Sequence, residues 1–282
     1  MQDLWPIIAS VLGVFLVMGI GAACRHVGWL TAEADRTLAN LTANVMLPAY
    51  FIDKFSQNEA IGSIWTAWQP PLLGFVSTAI GFGVALLFAR TVGRYFGLVT
   101  DASQRAFALC AGICNYGYIP YPLAEEFYKS AVIDLILHNV GVDVALWSIG
   151  IAIISGSGGD GWKKPLRSPP LWAVVFSITI SAMGLTHYVP RPVLSAVSGL
   201  GACAIPLGLL LSGAIIVDFL RDQSWLAERR VIGAAIFVRQ ILLPVLMLGI
   251  GGWIIRSPDL RTVVMLQAAM PAAVFPIVLT KL

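Results

Sequence analysis

The chain has 282 residues, 58% of them hydrophobic and 12% charged, with a formal net charge of +3 and a mean hydropathy of +0.82. Soluble domains carry about 25% charged residues and 45–50% apolar ones, so this composition cannot cover a water-facing surface. The basic residues form no patch, which argues against nucleic-acid binding. The apolar residues fall in runs long enough for a hydrocarbon core of roughly 30 Å, and the chain reads as an all-α integral membrane protein.

The N-terminal stretch MQDLWPIIAS lacks the basic segment of a cleavable signal peptide, so its apolar run is expected to be a retained first span. Nine spans are predicted, at Trp5–Cys24, Thr37–Ile52, Pro71–Ala89, Arg105–Tyr128, Val132–Ser155, Leu171–His187, Val193–Val217, Val231–Ile254 and Arg261–Leu279. Between the fifth and sixth lies SGSGGDGWKKPLRSPP, Gly-rich and then basic, as a linker between halves would be. Alternate loops on one side hold Arg25, Arg36, Arg90, Arg94, Arg105, Lys163, Lys164, Arg167, Arg221, Arg229, Arg230 and Lys281. The positive-inside rule assigns that side to the cytoplasm and the N-terminus to the outside of the cell (plasma or inner) membrane.

The two halves match each other. LTANVMLP, ending at Pro48, resembles LGACAIP, ending at Pro206. Arg105 to Pro120 also aligns without gaps on Arg261 to Pro276, placing Asn115 opposite Pro271. Five spans separate the members of each pair, so the copies are inverted, as in many secondary transporters. The expected organisation is a first repeat over 1–155, a cytoplasmic linker over 156–168 and a second, four-span repeat over 169–282. A five-span repeat demands ten spans, and the tenth is expected to be absent from this chain.

The fourth span contains NYGYIPYPL and the ninth QAAMPAAVFP, interruptions where a spanning helix should be regular. Asn115 and Pro271 each lie ten residues beyond the arginine that marks an interface, a climb of about 15 Å, so both breaks are expected near the midplane. A proline deletes one backbone bond and frees the carbonyl four residues earlier. Pro120 and Pro122 would free Tyr116 and Tyr118; Pro271 and Pro276 would free Gln267 and Ala272. Such groups are tolerable only against protein or a water-filled cavity. Half-helix N-termini converging there would suit an anion, and freed carbonyls a cation or a donor. The candidate substrate site is therefore Asn115, Tyr116, Gly117, Tyr118, Pro120, Pro122, Pro271 and Ala272. For Pro48 and Pro206 a packing kink and a site stay open.

Two ionisable residues fall deep in spans, Arg239 in the eighth and Asp143 in the fifth. Such groups pair with one another or serve transport. The residues leave open an Arg239–Asp143 ion pair, an Arg239 that meets a substrate carboxylate, and an Asp143 that carries a proton. Asn139, Asp143 and Trp147 recur every fourth residue and share a helical face; Asn139 and Asn44 join the candidates for charge partnering or coupling. His138 is expected to be packed, and Glu125 and Glu126 to be solvated. Cys24, Cys110, Cys114 and Cys203 lie in apolar runs and read as buried free thiols with no metal. No enzyme motif is present: no phosphate loop with its lysine, no HExxH, no serine with a base.

In NYGYIPYPLAEEFY followed by LILHNVGVDVALWSIG, with AIPLGLLLSGAII, FVRQILLP and QAAMPAAVFPIVLTK in order, the chain resembles the auxin efflux carrier family over essentially its whole length. The resemblance implies two inverted five-span repeats whose fourth and ninth spans cross at Pro122 and Pro271. It implies transport of organic anions, with Asn115, Pro122 and Pro271 beside the substrate. The short linker is similar to that of prokaryotic members. Two departures stand out: Phe275 replaces an asparagine common after the ninth-span proline, and Pro120–Tyr121 widen the fourth-span break. The expected function is secondary transport of a small organic anion, a carboxylate, by alternating access. A sodium symporter of the related bile-acid type and a non-transporting membrane sensor are the rivals. The expected partners are the anion and membrane lipid, without nucleic acid. No cofactor is expected; proton or sodium coupling and a homodimeric state are left open.

Overall fold

The computed structural model describes residues 5–57, 67–155, 169–183, 185, 188–221 and 228–273. Its helices are α1 (Trp5–Val27), α2 (Ala32–Leu41), α3 (Leu47–Gln57), α4 (Gln69–Thr91), α5 (Asp101–Gly112), α6 (Pro120–Phe127), α7 (Val132–Ala145), α8 (Ile151–Ser155), α9 (Pro169–Ala182), α10 (Arg191–Ala202), α11 (Ala204–Arg221), α12 (Arg229–Phe237), α13 (Leu243–Ile254) and α14 (Pro258–Ala269). The described residues contain no strand beyond one isolated bridged pair, Cys114 with Ala272. Gln69–Thr91, Lys129–Ile154, Arg191–Arg221 and Arg229–Ile254 are each long and apolar enough to cross a membrane. Large apolar side chains such as Leu16, Leu87 and Val245 stay more than half exposed, as lipid-facing positions do. The protein is a multi-pass membrane protein.

Three wide π turns, Thr42–Met46, Leu146–Gly150 and Val238–Leu242, join α2 to α3, α7 to α8 and α12 to α13. Two of them stand directly before a Leu-Pro pair, Leu47-Pro48 and Leu243-Pro244. There the leucine N–H reaches back five residues, Leu47 to the Thr42 carbonyl and Leu243 to that of Val238. The extra residue in the turn makes room for a proline ring that would otherwise press on the preceding turn. Pro48 thus sits one position into α3, in a chain that stays helical. Pro206 sits in the first turn of α11, just past a one-residue interruption at Cys203.

The chain divides into two compact units that do not follow chain order. The first comprises Met1–Ala67, Tyr121–Lys129 and Ser168–Gln223. In it α1 packs along α11, and α3 along α9 and α10. The α1–α11 approach needs glycine on both sides: a Cβ on Gly21 would strike the Leu210 backbone, and one on Gly213 the Met18 backbone. Arg25, read from sequence as a loop cation, is only 7% exposed; it holds Asp35 at 2.5 Å and lies 3.1 Å from Asp218. The short α6 belongs to this unit from Tyr121 onward. Tyr121 packs its ring against Tyr50 and Phe51. Glu125, expected to be solvated, keeps 34% of its side chain exposed but also accepts from the Tyr50 hydroxyl at 2.7 Å and pairs with Lys54 at 2.8 Å. Glu126 is exposed.

The second unit comprises Trp68–Pro120, Ser130–Arg167 and Ser224–Leu282. Here α4 packs on α5 and α7, and α13 on α14. The α4–α7 contact is again backbone on backbone, Gly74 against His138 and Gly141 against Pro71. Ala85, Ala89, Phe107, Ala108 and Val238 form a core under α5.

Candidate functional site

The candidate site lies in the second unit, where two helices stop. Thr100 and Ser103 form a capping box that starts α5. The helix stops at Gly112, which presses on the backbone at Gly81–Phe82, and Ile113 is extended. Ser257 caps α14, with Pro258 at its first position. That helix stops at Ala269, because Met270 precedes Pro271 and is pushed into the extended region. The two extended segments then pair antiparallel. The Asn115 N–H donates to the Pro271 carbonyl at 2.8 Å, and the Ala273 N–H to the Ile113 carbonyl at 3.3 Å. Each segment thus satisfies main-chain groups that the other's break leaves bare.

Two of the carbonyls that the prolines were expected to free, those of Tyr116 and Gln267, have side-chain donors. The Tyr116 oxygen accepts from Asn139 Nδ2 at 2.6 Å and from Gln267 Nε2 at 3.2 Å. The Gln267 oxygen accepts from Arg239 Nη2 at 2.7 Å, and Arg239 Nε donates to the Met270 oxygen at 3.1 Å. Arg239 therefore caps the carbonyl end of α14, where the helix dipole favours a cation. The π turn at Val238–Leu242 presents it, and it is 3% exposed. Gln267, fully buried, also donates to Asn139 Oδ1 at 3.0 Å and lies 2.9 Å from the Cys114 thiol.

Asp143 accepts from the Tyr116 hydroxyl at 2.6 Å. Asn139 and Asp143 thus do act from one face of α7, one on the carbonyl and the other on the hydroxyl of the same tyrosine. The Arg239–Asp143 ion pair that the sequence left open is not among the ion pairs of the described residues. Each side chain has a nearer partner in a broken span. His138 is 1% exposed, with Nδ1 at 3.4 Å from Asn139 Oδ1 and Nε2 unpartnered among the described residues.

Asn115, Tyr116, Pro271, Ala272, Asn139 and Arg239 are brought together through this bonding, with Asp143 joined through Tyr116. Gly117 and Tyr118 follow in the break, half-buried, and Pro120 opens α6. Asn115 is 8% exposed, and its side-chain amide has no partner among the described residues. Pro122 lies within α6 in the first unit. Asn44 belongs to that unit too, exposed on a π turn, its amide donating to the Asn40 carbonyl at 2.9 Å. The helix ends differ from the expectation of half-helix N-termini: α5 and α14 bring their carbonyl ends to the bridge. The N-terminal end in hand, that of α6, has Pro120 and Pro122 in its first turn, so two of its N–H groups are missing. Phe275 and Pro276 lie outside the described residues.

Sequence reasoning missed Gln267 as a side chain. Its signal was available: an amide in an apolar helix one turn before a helix-ending proline. Cys114, read as an inert thiol, reaches that amide.

The model of a membrane transport protein family matches residues 6–164 and 159–282. The chain belongs to this family, that of the auxin efflux carriers. A relative, an uncharacterized transporter of Methanothermobacter thermautotrophicus, is 23% identical over 275 residues, 96% of this chain and 86% of its own. This membership makes the chain a membrane transporter by family, which points away from an enzyme.

Proposed function

We propose that the protein is a secondary transporter of a small organic anion bearing a carboxylate, working by alternating access at the point where the fourth and ninth spans break. The observation that carries the reading is the antiparallel bridge of Cys114 with Ala272, closed by the Asn115 N–H on the Pro271 carbonyl. Two spans give up helical continuity at one place, and buried amides and a guanidinium hold the exposed backbone open. Packing alone does not call for such a device, since lipid-facing breaks are costly. In this reading the two repeats are inverted, the broken spans cross, and the N-terminus is outside. Asn115, whose amide has no protein partner among the described residues, orients the carboxylate, with Tyr118 beside it.

The sodium-symport alternative needs freed carbonyls as ligands. The Tyr116 and Gln267 oxygens already accept from Asn139, Gln267 and Arg239, and Arg239 sets a positive charge beside them. That favours the anion. The test is exchange in proteoliposomes across a panel of mono- and dicarboxylates, with and without sodium. Carboxylate counterflow independent of sodium is the expected result; no counterflow for any acid would overturn the substrate class, and strict sodium dependence would favour the symporter.

A further inference from the structure

Arginines of the second unit gather at one corner. The 3₁₀ turn Gly93–Phe96, which follows α4, packs against the start of α12, and Val231 Cγ2 lies 3.6 Å from where a Cβ on Gly97 would stand. That contact brings Arg90, Arg94 and Arg105, around the α4–α5 connection, to Arg229 and Arg230. Asp101 and exposed Glu228 offset part of the charge, but Asp101 is already paired with Arg105 and lies 3.9 Å from Arg90. Arg94, Arg229 and Arg230 are exposed and enter no ion pair among the described residues.

The turn that carries Arg94 is firmly held. Gly97 closes it in the left-handed region, at φ +101. Leu98 is buried in the core with Ala89 and Phe107. Its N–H donates to the Gly93 carbonyl at 2.9 Å, and its own carbonyl accepts from Gln104 Nε2 at 3.1 Å. Beside these anchors Tyr95 is 80% exposed and Val99 68%. A braced turn that points a tyrosine and a valine away from the protein gains nothing from either side chain by folding alone.

The corner lies where two membrane-length helices, Gln69–Thr91 and Arg229–Ile254, respectively end and begin. That is the membrane–water boundary, where tyrosine rings sit at head-group level. Membrane topology asks only for lysine or arginine near the ends of spans, at no set place around the bundle. Here the cations are drawn together by a packing contact, and each is an arginine, whose planar fork matches phosphate oxygens. A soluble anion would use the arginines and leave Tyr95 and Val99 without a role; a phospholipid uses both.

We propose that this corner binds the head groups of anionic phospholipids, with phosphates on Arg94, Arg229 and Arg230 and with Tyr95 and Val99 seated among the head groups of the same leaflet. The surface is separate from the broken spans and holds whether or not they carry a carboxylate.

The test equilibrates the whole protein with equal amounts of phosphatidylglycerol and phosphatidylcholine and reads the retained lipid by native mass spectrometry. A basic residue at an anionic surface is worth about a fivefold preference, so wild type should retain phosphatidylglycerol over phosphatidylcholine by about tenfold or more. Arg94→Gln with Arg229→Gln and Arg230→Gln should cut that ratio at least about tenfold. Arg36→Gln with Arg191→Gln and Arg256→Gln, the same loss of charge at exposed positions elsewhere, should leave it within about twofold. Arg94→Gln alone, on the braced turn, should cut it about fivefold and serves if the triple variant fails to fold. Equal retention of the two lipids by wild type, or a fall no larger in the first triple variant than in the second, would overturn the proposal. So would a melting temperature raised by inorganic phosphate and not by phosphatidylglycerol, which would make the corner a site for a soluble anion.

Discussion

Arg239 Nη2 donates at 2.7 Å to the carbonyl of Gln267, to which Pro271 has no N–H to give and which otherwise accepts, among the described residues, only from the Met270 N–H at 3.3 Å. A cation deep in the protein is therefore held by a helix end. Hydrogen bonds from a charged donor are worth roughly 1.5–3 kcal/mol, so Arg239→Gln should cost about 2 kcal/mol. Arg239→Lys should recover only part, since an ammonium cannot reproduce the planar fork over two carbonyls. Thermal melts in detergent should rank wild type, Lys, Gln in that order; an unshifted Gln variant would show that the cap is idle.

Asn139 and Gln267 share the Tyr116 carbonyl and bond to each other. Replacing either with leucine leaves polar partners of the other unmet. Groups in one network couple by about 0.5–3 kcal/mol, so a double-mutant cycle of Asn139→Leu and Gln267→Leu should show non-additivity of about 1 kcal/mol. Additive losses would mean that the two amides act independently.

Asn115 separates binding from stability. Its N–H serves the bridge and survives in Asn115→Ala, while the removed amide has no protein partner among the described residues. The variant should melt close to wild type yet bind carboxylate at least about tenfold more weakly, roughly 1.4 kcal/mol. Asn44→Ala, on an exposed turn, should leave affinity unchanged. Equal effects in calorimetric titrations would remove Asn115 from the site.

Glycine is required where backbones touch. Gly141→Ala pushes a methyl group into the Pro71 carbonyl, and overpacking of this kind costs about 1–3 kcal/mol or more. Gly83 has nothing near its added Cβ, so Gly83→Ala should be neutral or stabilising by up to about 1 kcal/mol. Folded yields on size exclusion would show the contrast, and a well-behaved Gly141→Ala would refute the close approach.

In the first unit, Tyr50→Phe deletes the hydroxyl that donates to Glu125 and leaves the ring packing. A loss of about 1.5–3 kcal/mol is expected for a bond to a charged acceptor. Lys54→Met should cost less, because its ion pair is part-exposed. Denaturation in detergent would give the ranking; a larger loss for Lys54 would contradict it.

Much of this was legible in the chain itself. QAAMP announces the end of α14 within two residues, because proline restricts the residue before it. NYGYIP announces the fourth-span break, and the four-residue spacing of Asn139 and Asp143 announces their shared face. The donors for the freed carbonyls were not legible: Tyr116 and Gln267 lie 151 positions apart, and no local pattern encodes a contact of that separation. Nor was the burial of Arg25 or the pairing of Glu125, each of which depends on partners from other helices. The π turns had a weak signal in Leu-Pro, but the one at Leu146–Gly150 precedes no proline.

The reciprocal glycine seam of α1 and α11 also bears on biogenesis. The first helix leaves the ribosome long before Leu210 and Gly213 are made, and Asp218, one of Arg25's two carboxylates, comes later still. The nascent N-terminal segment must wait in the bilayer with its closest-fitting groove vacant, held meanwhile by the early Arg25–Asp35 clasp. Ribosome release before residue 210 would strand that segment without its mate and present it to quality-control proteases.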